Sequence, residues 1–242
     1  MNGEPGPPRQ RWRLILRVPA SSYPGERPSG ARGWSDSLLA AGLPMAFGAG
    51  GRQPRVTPAA ALPLGIAGER EIVDVYLAER LPVADVRARL EAALPADVEL
   101  VGLHDVWLGA PAAPAMVRAA DYRVEAGGAA GVPLAGVAVI EAAARLLASS
   151  SLPRERRREK RTTSYDLRPL LDRLEVSSWD DHSPGGPAGI LRMRLRHEPE
   201  TVGRPEEVLA ALSEAIGTRL EARSIVRERV VVEGEPGAEP EG

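Results

Sequence analysis

Two residues in the second half of the chain have side chains suited to acid–base work: Asp166, a carboxylate able to take a proton, and Arg168, a cation able to polarise an oxygen. Set two apart on a strand they share a face, and the expected outcome is an ion pair rather than a reaction. Just ahead of them runs a basic stretch, Arg154, Arg156, Arg157, Arg158, Lys160 and Arg161, broken by Glu155 and Glu159. Such a run suits a row of phosphates, each contact steepening the salt dependence of binding, although a solvated loop is its commoner fate. Arg192, Arg194 and Arg196 alternate with Leu191, Met193 and Leu195, so one face of a strand is basic; Glu198 and Glu200 offset it. A further stretch, Phe47-Gly48-Ala49-Gly50-Gly51-Arg52-Gln53-Pro54-Arg55, joins backbone able to approach a phosphate with the charge of Arg52 and Arg55. It lacks the Lys-Ser/Thr ending of a P-loop, and a plain surface turn is the favoured reading.

Other chemistry is excluded or weakly supported. With no cysteine, the chain forms no disulfide, holds no thiolate-bound zinc and ligates no iron–sulfur cluster through sulfur. His104, His182 and His197 are scattered singly, without metal-ligand spacing. No catalytic residue, metal or cofactor is expected. Trp12, Trp34, Trp107 and Tyr122 are expected in the core, unless one lies on an open sheet face where a base could stack. The formal charge of -2 gives no global pull towards nucleic acid or anionic membrane, so binding of that kind must be local.

The elements that must position these groups follow from periodicity. A chain of 242 residues, 43% hydrophobic and 26% charged, can bury one large or two small cores; one Phe leaves that core to Leu, Val, Ala and Ile. Residues 11–18 alternate as a strand, with Trp12, Leu14, Leu16 and Val18 on one face. A short helix carries Trp34, Leu38 and Ala41 and stops at Gly42. Residues 72–77 read as a strand with Asp74 on its wetter side, and Pro82 opens a helix with Val86, Leu90 and Leu94 inward. Residues 98–108 close this half as a strand.

The Pro/Ala stretch within 110–118 is read as a linker. Beyond it come a strand near 119–126, a helix with Val137, Ile140, Ala144 and Leu147 on one stripe, a strand over 162–167, and a short helix or strand over 170–176. A strand over 190–197, a helix from Pro205 with Val208, Leu212 and Ile216 inward, and a strand over 222–232 complete the chain. Residues 1–10 and 233–242 read as disordered tails. The expected domains are 11–109 and 119–232. No signal peptide or membrane-spanning stretch is apparent, so a cytoplasmic location is expected.

Residues 85–94 can be laid over 207–216, matching the acid, the small residues and the four-residue apolar spacing. The fold expectation is therefore α+β: two ferredoxin-like β-α-β-β-α-β units, a diverged duplication. Such units cover one sheet face with helices and leave the other open, a layout often used for single-stranded RNA.

The residues 40–47 (Ala-Ala-Gly-Leu-Pro-Met-Ala-Phe), Pro54-Arg55-Val56, Leu62-Pro63-Leu64-Gly65-Ile66 and Asp74-Val75-Tyr76-Leu77 resemble the radical-SAM-linked domain of unknown function. So does 162–171, Thr-Thr-Ser-Tyr-Asp-Leu-Arg-Pro-Leu-Leu, which is similar to that family's Lys-Thr-rich motif ending in Asp-Ile-Arg-Pro. Members are found fused to, or encoded near, cobalamin-binding radical SAM proteins. Two family features are missing: the Ser-His-Leu-Asp entry to the first helix, and the histidine and second aromatic of the loop at 47–55. The resemblance implies an accessory role, holding a substrate such as RNA for a separate radical SAM protein, because this cysteine-free chain cannot ligate the cluster. On that reading Arg52, Arg55, Arg156, Arg157, Arg158, Lys160, Arg161, Asp166, Arg168, Arg192 and Arg194 bind RNA or the partner. The alternatives are an RNA-modifying enzyme resting on Asp166 and Arg168, and a pure protein-interaction module.

Overall fold

The computed structural model describes residues 7–20, 31–48, 53–128, 132–158, 161–183, 185–198 and 201–234. The chain is mixed α+β and divides into two compact units, Met1–Val117 and Arg118–Gly242. Among the described residues no helix is long and apolar enough to cross a membrane.

In the first unit the elements run β1 (Gln10–Val18), α1 (Ala31–Ala40), β2 (Val56–Pro58), β3 (Ile66–Leu77), α2 (Val83–Ala93), β4 (Glu99–Asp105) and α3 (Ala113–Met116). β1 lies antiparallel between β3 and β4, with Leu14 opposite both Val73 and Leu103. Short β2 takes the other edge of β3, Val56 opposite Val75, so the strand order is β4-β1-β3-β2. The period-two pattern of β1 sends Trp12, Leu14 and Leu16 into a core shared with Trp34 and Leu38 of α1 and Val86 and Leu90 of α2. Gly42, at φ 62°, ends the first helix as expected, in a backbone region that a side chain would strain.

The opposite face of this sheet is not wet. Arg11 is 1% exposed and Asp74 is fully buried, contrary to the expectation that Asp74 faces water. The reason lies after β4, where residues 106–116 turn back over the sheet. Arg11 donates to the Trp107 and Ala110 carbonyl oxygens, and the Ala113 N–H donates to Asp74. The stretch expected as a free linker is thus hydrogen-bonded to the first unit, and part of it coils into α3.

The second unit runs β5 (Val117–Gly128), α4 (Gly136–Ala148), β6 (Pro153–Arg158), β7 (Arg161–Asp166), a 3-10 turn (Arg168–Leu170), β8 (Leu171–Asp180), β9 (Ala188–Arg196), α5 (Pro205–Ile216) and β10 (Leu220–Val232). Its main sheet has the order β10-β5-β9-β8, with β9 antiparallel to both neighbours. β6 and β7 form a separate two-stranded ribbon. The open choice over 170–176 resolves to strand β8. The expected stripe of α4 is out of phase: Val139, Ala142, Ala143 and Leu146 are buried, whereas Val137 is 61% and Ile140 51% exposed. Apolar residues occupy both sides of this helix, so periodicity alone could not select the side that packs.

Candidate functional site

The basic run of 154–161 folds as the β6–β7 hairpin, with Arg154 opposite Tyr165 and Arg156 opposite Thr163. Thr162, Thr163 and Tyr165 favour the extended backbone, and the base of the ribbon is tied to α5. Arg156 grips Glu207 with both carboxylate oxygens, Nη2 at 2.7 and 3.0 Å and Nε at 3.0 Å, and donates to the Val202 carbonyl oxygen at 3.0 Å. Its guanidinium carbon lies 4.9 Å from the centre of the Tyr165 ring. Arg154 pairs with Glu214 at 3.1 Å. Burial opposes the Arg156 charge, but Glu207 more than compensates and raises its pKa; burial and then Glu207 push the Tyr165 hydroxyl up to about 12.

Between ribbon and helix lies an open groove of about 610 Å³, lined by Glu155, Glu206, Glu207 and Glu214 with Arg154, Ser164 and Tyr165. The hairpin base is therefore an acidic cleft, and its two arginines serve to anchor it. In sequence the stretch 157–161 carries Arg157, Arg158, Lys160 and Arg161 against Glu159. Residues 159 and 160 lie outside the described residues, as do the side chains of Arg157, Arg158 and Arg161.

Asp166 and Arg168 do not share a strand, because β7 ends at Asp166 and the 3-10 turn begins at Arg168. The expected ion pair gives way to two backbone clamps. Asp166 Oδ1 accepts the N–H groups of Leu152 at 2.7 Å and Arg168 at 2.9 Å, and these bonds hold its carboxyl below the usual carboxylate range. Arg168 turns its side chain to the Leu147 carbonyl oxygen at 3.0 Å and the Leu171 carbonyl oxygen at 2.8 Å, tying the end of α4 to the start of β8. Both side chains are engaged in local architecture.

The basic face of β9 meets acids on every adjacent strand. Arg194 binds Asp121 of β5 at 2.7 and 3.0 Å, and Arg229 of β10 reaches the same carboxylate at 2.8 Å. Arg196 pairs with Asp172, while Arg192 lies 3.9 Å from Glu228, which also takes Arg123 at 3.2 Å. Burial pushes the Asp121 carboxyl up, but the bonds and charges of Arg194 and Arg229 outweigh it and lower its pKa. Alternation told correctly which residues share this face, but not that acids interleave them. Arg192 remains the exposed cation of the three, its side chain 54% accessible.

In the first unit Arg55 is exposed, its guanidinium carbon 4.0 Å above the Tyr76 ring. Tyr76 also meets Arg11, whose guanidinium carbon is 5.8 Å from the ring centre. Arg13 grips Asp74 with two bonds, at 2.8 and 3.0 Å. Arg52 lies outside the described residues. Among the described residues no group of three or more His, Asp or Glu is arranged to hold a metal ion. His197 is largely buried, its Nε2 without a hydrogen-bond partner, and burial with the nearby Arg227 lowers its pKa to about 4. Trp12, Trp34 and Tyr122 are core as expected, but Trp107 is 79% exposed. The strand expected over 98–108 ends at Asp105, so Trp107 falls in the turn beyond it, and alternation along the chain holds no sign of this.

Among the described residues the arrangement offers fixed ion pairs, an acidic groove and an exposed aromatic. Among proteins of curated function none matches the chain. Among solved structures it is similar to a chain in the crystal structure of a Cbf5-Nop10-Gar1 complex, at 9% identity and TM-score 0.45, covering 90% of this chain and 49% of that one. The chain thus spans about half the length of that relative. The crystal structure of an unknown protein from Galdieria sulphuraria shows 16% identity and TM-score 0.25 over 91% of this chain and 99% of that one. A family model matches residues 32–221, most of the described chain, and by that match the protein belongs to DUF2344, the family described as uncharacterized protein conserved in bacteria.

Proposed function

We propose that the protein is a cytoplasmic accessory subunit that holds RNA for a separate radical SAM enzyme, and that it is built from two diverged ferredoxin-like units. The duplication is supported by topology. Numbering the four main-sheet strands of each unit in chain order, both orders read 4-1-3-2. In each unit an arginine–aspartate pair joins the first and third strands in direct register, Arg13 with Asp74 and Asp121 with Arg194, the two roles exchanged. The helices matched in sequence, α2 and α5, are the second helices of their units.

The observation that carries the RNA reading is the β6–β7 ribbon: it is anchored through the Arg154–Glu214 and Arg156–Glu207 pairs, while the stretch 157–161 holds four cations against one anion in sequence. A basic two-stranded ribbon can follow a phosphate backbone, and Arg192 and Arg55 add exposed cations. Radical chemistry is assigned to the partner because this chain has no cysteine. A protein partner presenting a basic segment is the second reading, favoured by the acidic groove at the ribbon base. Purification from native cells, divided into samples with and without ribonuclease, tests both. RNA that co-purifies and is lost on Arg157→Ala/Arg158→Ala supports the first. A ribonuclease-resistant protein complex with no bound RNA replaces it with the second.

A further inference from the structure

Trp107 stands outside the core while the fold takes trouble to hold it in place. At 79% exposure it is more open than any other large apolar side chain among the described residues. Its backbone is pinned from beneath: fully buried Arg11 donates from Nη2 to the Trp107 carbonyl oxygen at 2.7 Å and from Nη1 to the Ala110 carbonyl oxygen at 3.0 Å. The Ala110 N–H returns to the Trp107 carbonyl oxygen at 3.1 Å, closing a tight turn. The ring then packs on the backbone at Gly109, where a Cβ would stand 2.5 Å from Cζ2 and Cη2. Glycine is what lets the indole lie so close, and the rest of the ring faces solvent.

The same buried arginine leads to an exposed cation. Arg11 Nη1 reaches the Tyr76 hydroxyl at 3.4 Å, and Arg55 caps the Tyr76 ring at 4.0 Å. An exposed indole and an exposed guanidinium are thus linked through Arg11 and Tyr76 within the first unit. A protein-docking hot spot would want a broad apolar surround, whereas the turn beside Trp107 offers glycine, alanine and the 38% exposed Leu108. An exposed flat ring and an exposed cation tied to the same buried arginine suit one strand: a base to stack and a phosphate to neutralise.

We propose that Trp107 is a stacking platform for an unpaired base of single-stranded RNA, with Arg55 meeting a phosphate of the same strand. This rests on the RNA reading above and names its contact in the first unit. The test measures binding of a short, unstructured, fluorescently labelled oligoribonucleotide, and of the same strand without its bases, to the full chain. Trp107→Ala weakens binding of the intact strand about tenfold, and Trp107→Phe retains most of it. The wild type binds the base-free strand no better than Trp107→Ala does, and that variant binds both strands alike. Gly109→Ala, which displaces the ring without backbone strain, gives an intermediate affinity at unchanged thermal stability. Wild-type affinity in Trp107→Ala overturns the platform and leaves the RNA reading standing; a wild type that binds no RNA at any salt concentration removes both.

Discussion

Asp74 on β3 and Asp121 on β5 each face an arginine in direct register on a neighbouring strand but carry different burdens. Asp74 is fully buried, gripped by Arg13 with two bonds, faced by Arg11 at 4.0 Å and bonded to the Ala113 N–H. Removing a buried charge's partner costs about 3–5 kcal/mol. Asp74→Asn is accordingly expected to lose that much in urea unfolding, and Asp121→Asn, whose side chain is 19% exposed among half-open arginines, about 1–2 kcal/mol. His197 sets an acid limit. Its pKa of about 4 in the fold lies below the ordinary 6.5, so between those values the unfolded chain binds a proton that the folded chain refuses. The contribution of neutral His197 is fully present above pH 6.5 and is lost as pH falls to about 4, some ~3 kcal/mol in all. Urea midpoints measured across that range should fall in the wild type and stay flatter in His197→Gln.

The hairpin behaves as an element bolted on at its base. Glu207 receives three bonds from Arg156 and stands beside Tyr165, so Glu207→Ala is expected to release the ribbon. Hydrogen exchange over 153–166 should accelerate, while global stability falls by no more than about 1–2 kcal/mol, because the main-sheet core is untouched. α4 supplies a contrast in one helix. Leu146→Ala, at a buried position, should cost about 2–5 kcal/mol, whereas Ile140→Ser, on the exposed side, should stay within about 0.5 kcal/mol. Thermal melts of the two variants side by side check whether the packed stripe is the one containing Val139 and Leu146.

For the molecule as a whole the net charge of -2 leaves RNA affinity to local features. Binding must then be steeply salt-dependent. Removing two phosphate contacts with Arg157→Ala/Arg158→Ala should reduce the slope of log affinity against log salt by about 1.4, roughly 0.7 for each contact to a single strand. Asp166→Asn should leave the function of the protein in cells intact if the side chain does no more than accept the Leu152 and Arg168 N–H groups. Loss of function with the fold intact would favour the enzyme reading instead.

Composition and period by themselves determined much of this protein. The absence of cysteine excludes thiolate-ligated clusters, and alternation over β1 and β9 sorts Trp12, Leu14, Leu191 and Met193 from their basic neighbours. The prolines at 82 and 205 mark the starts of α2 and α5, because proline tolerates the first turn of a helix and no other. Tertiary structure alone decided what each polar residue meets. Asp74 is dry because residues 106–116 fold back over the sheet, the arginines of β9 are matched by acids 73 positions or fewer away in the chain, and Arg168 serves two carbonyl oxygens in place of Asp166. Local sequence reports which side of an element is apolar. Which partner covers it depends on contacts between residues far apart in the chain, and these decide whether a charge binds a ligand or its own fold.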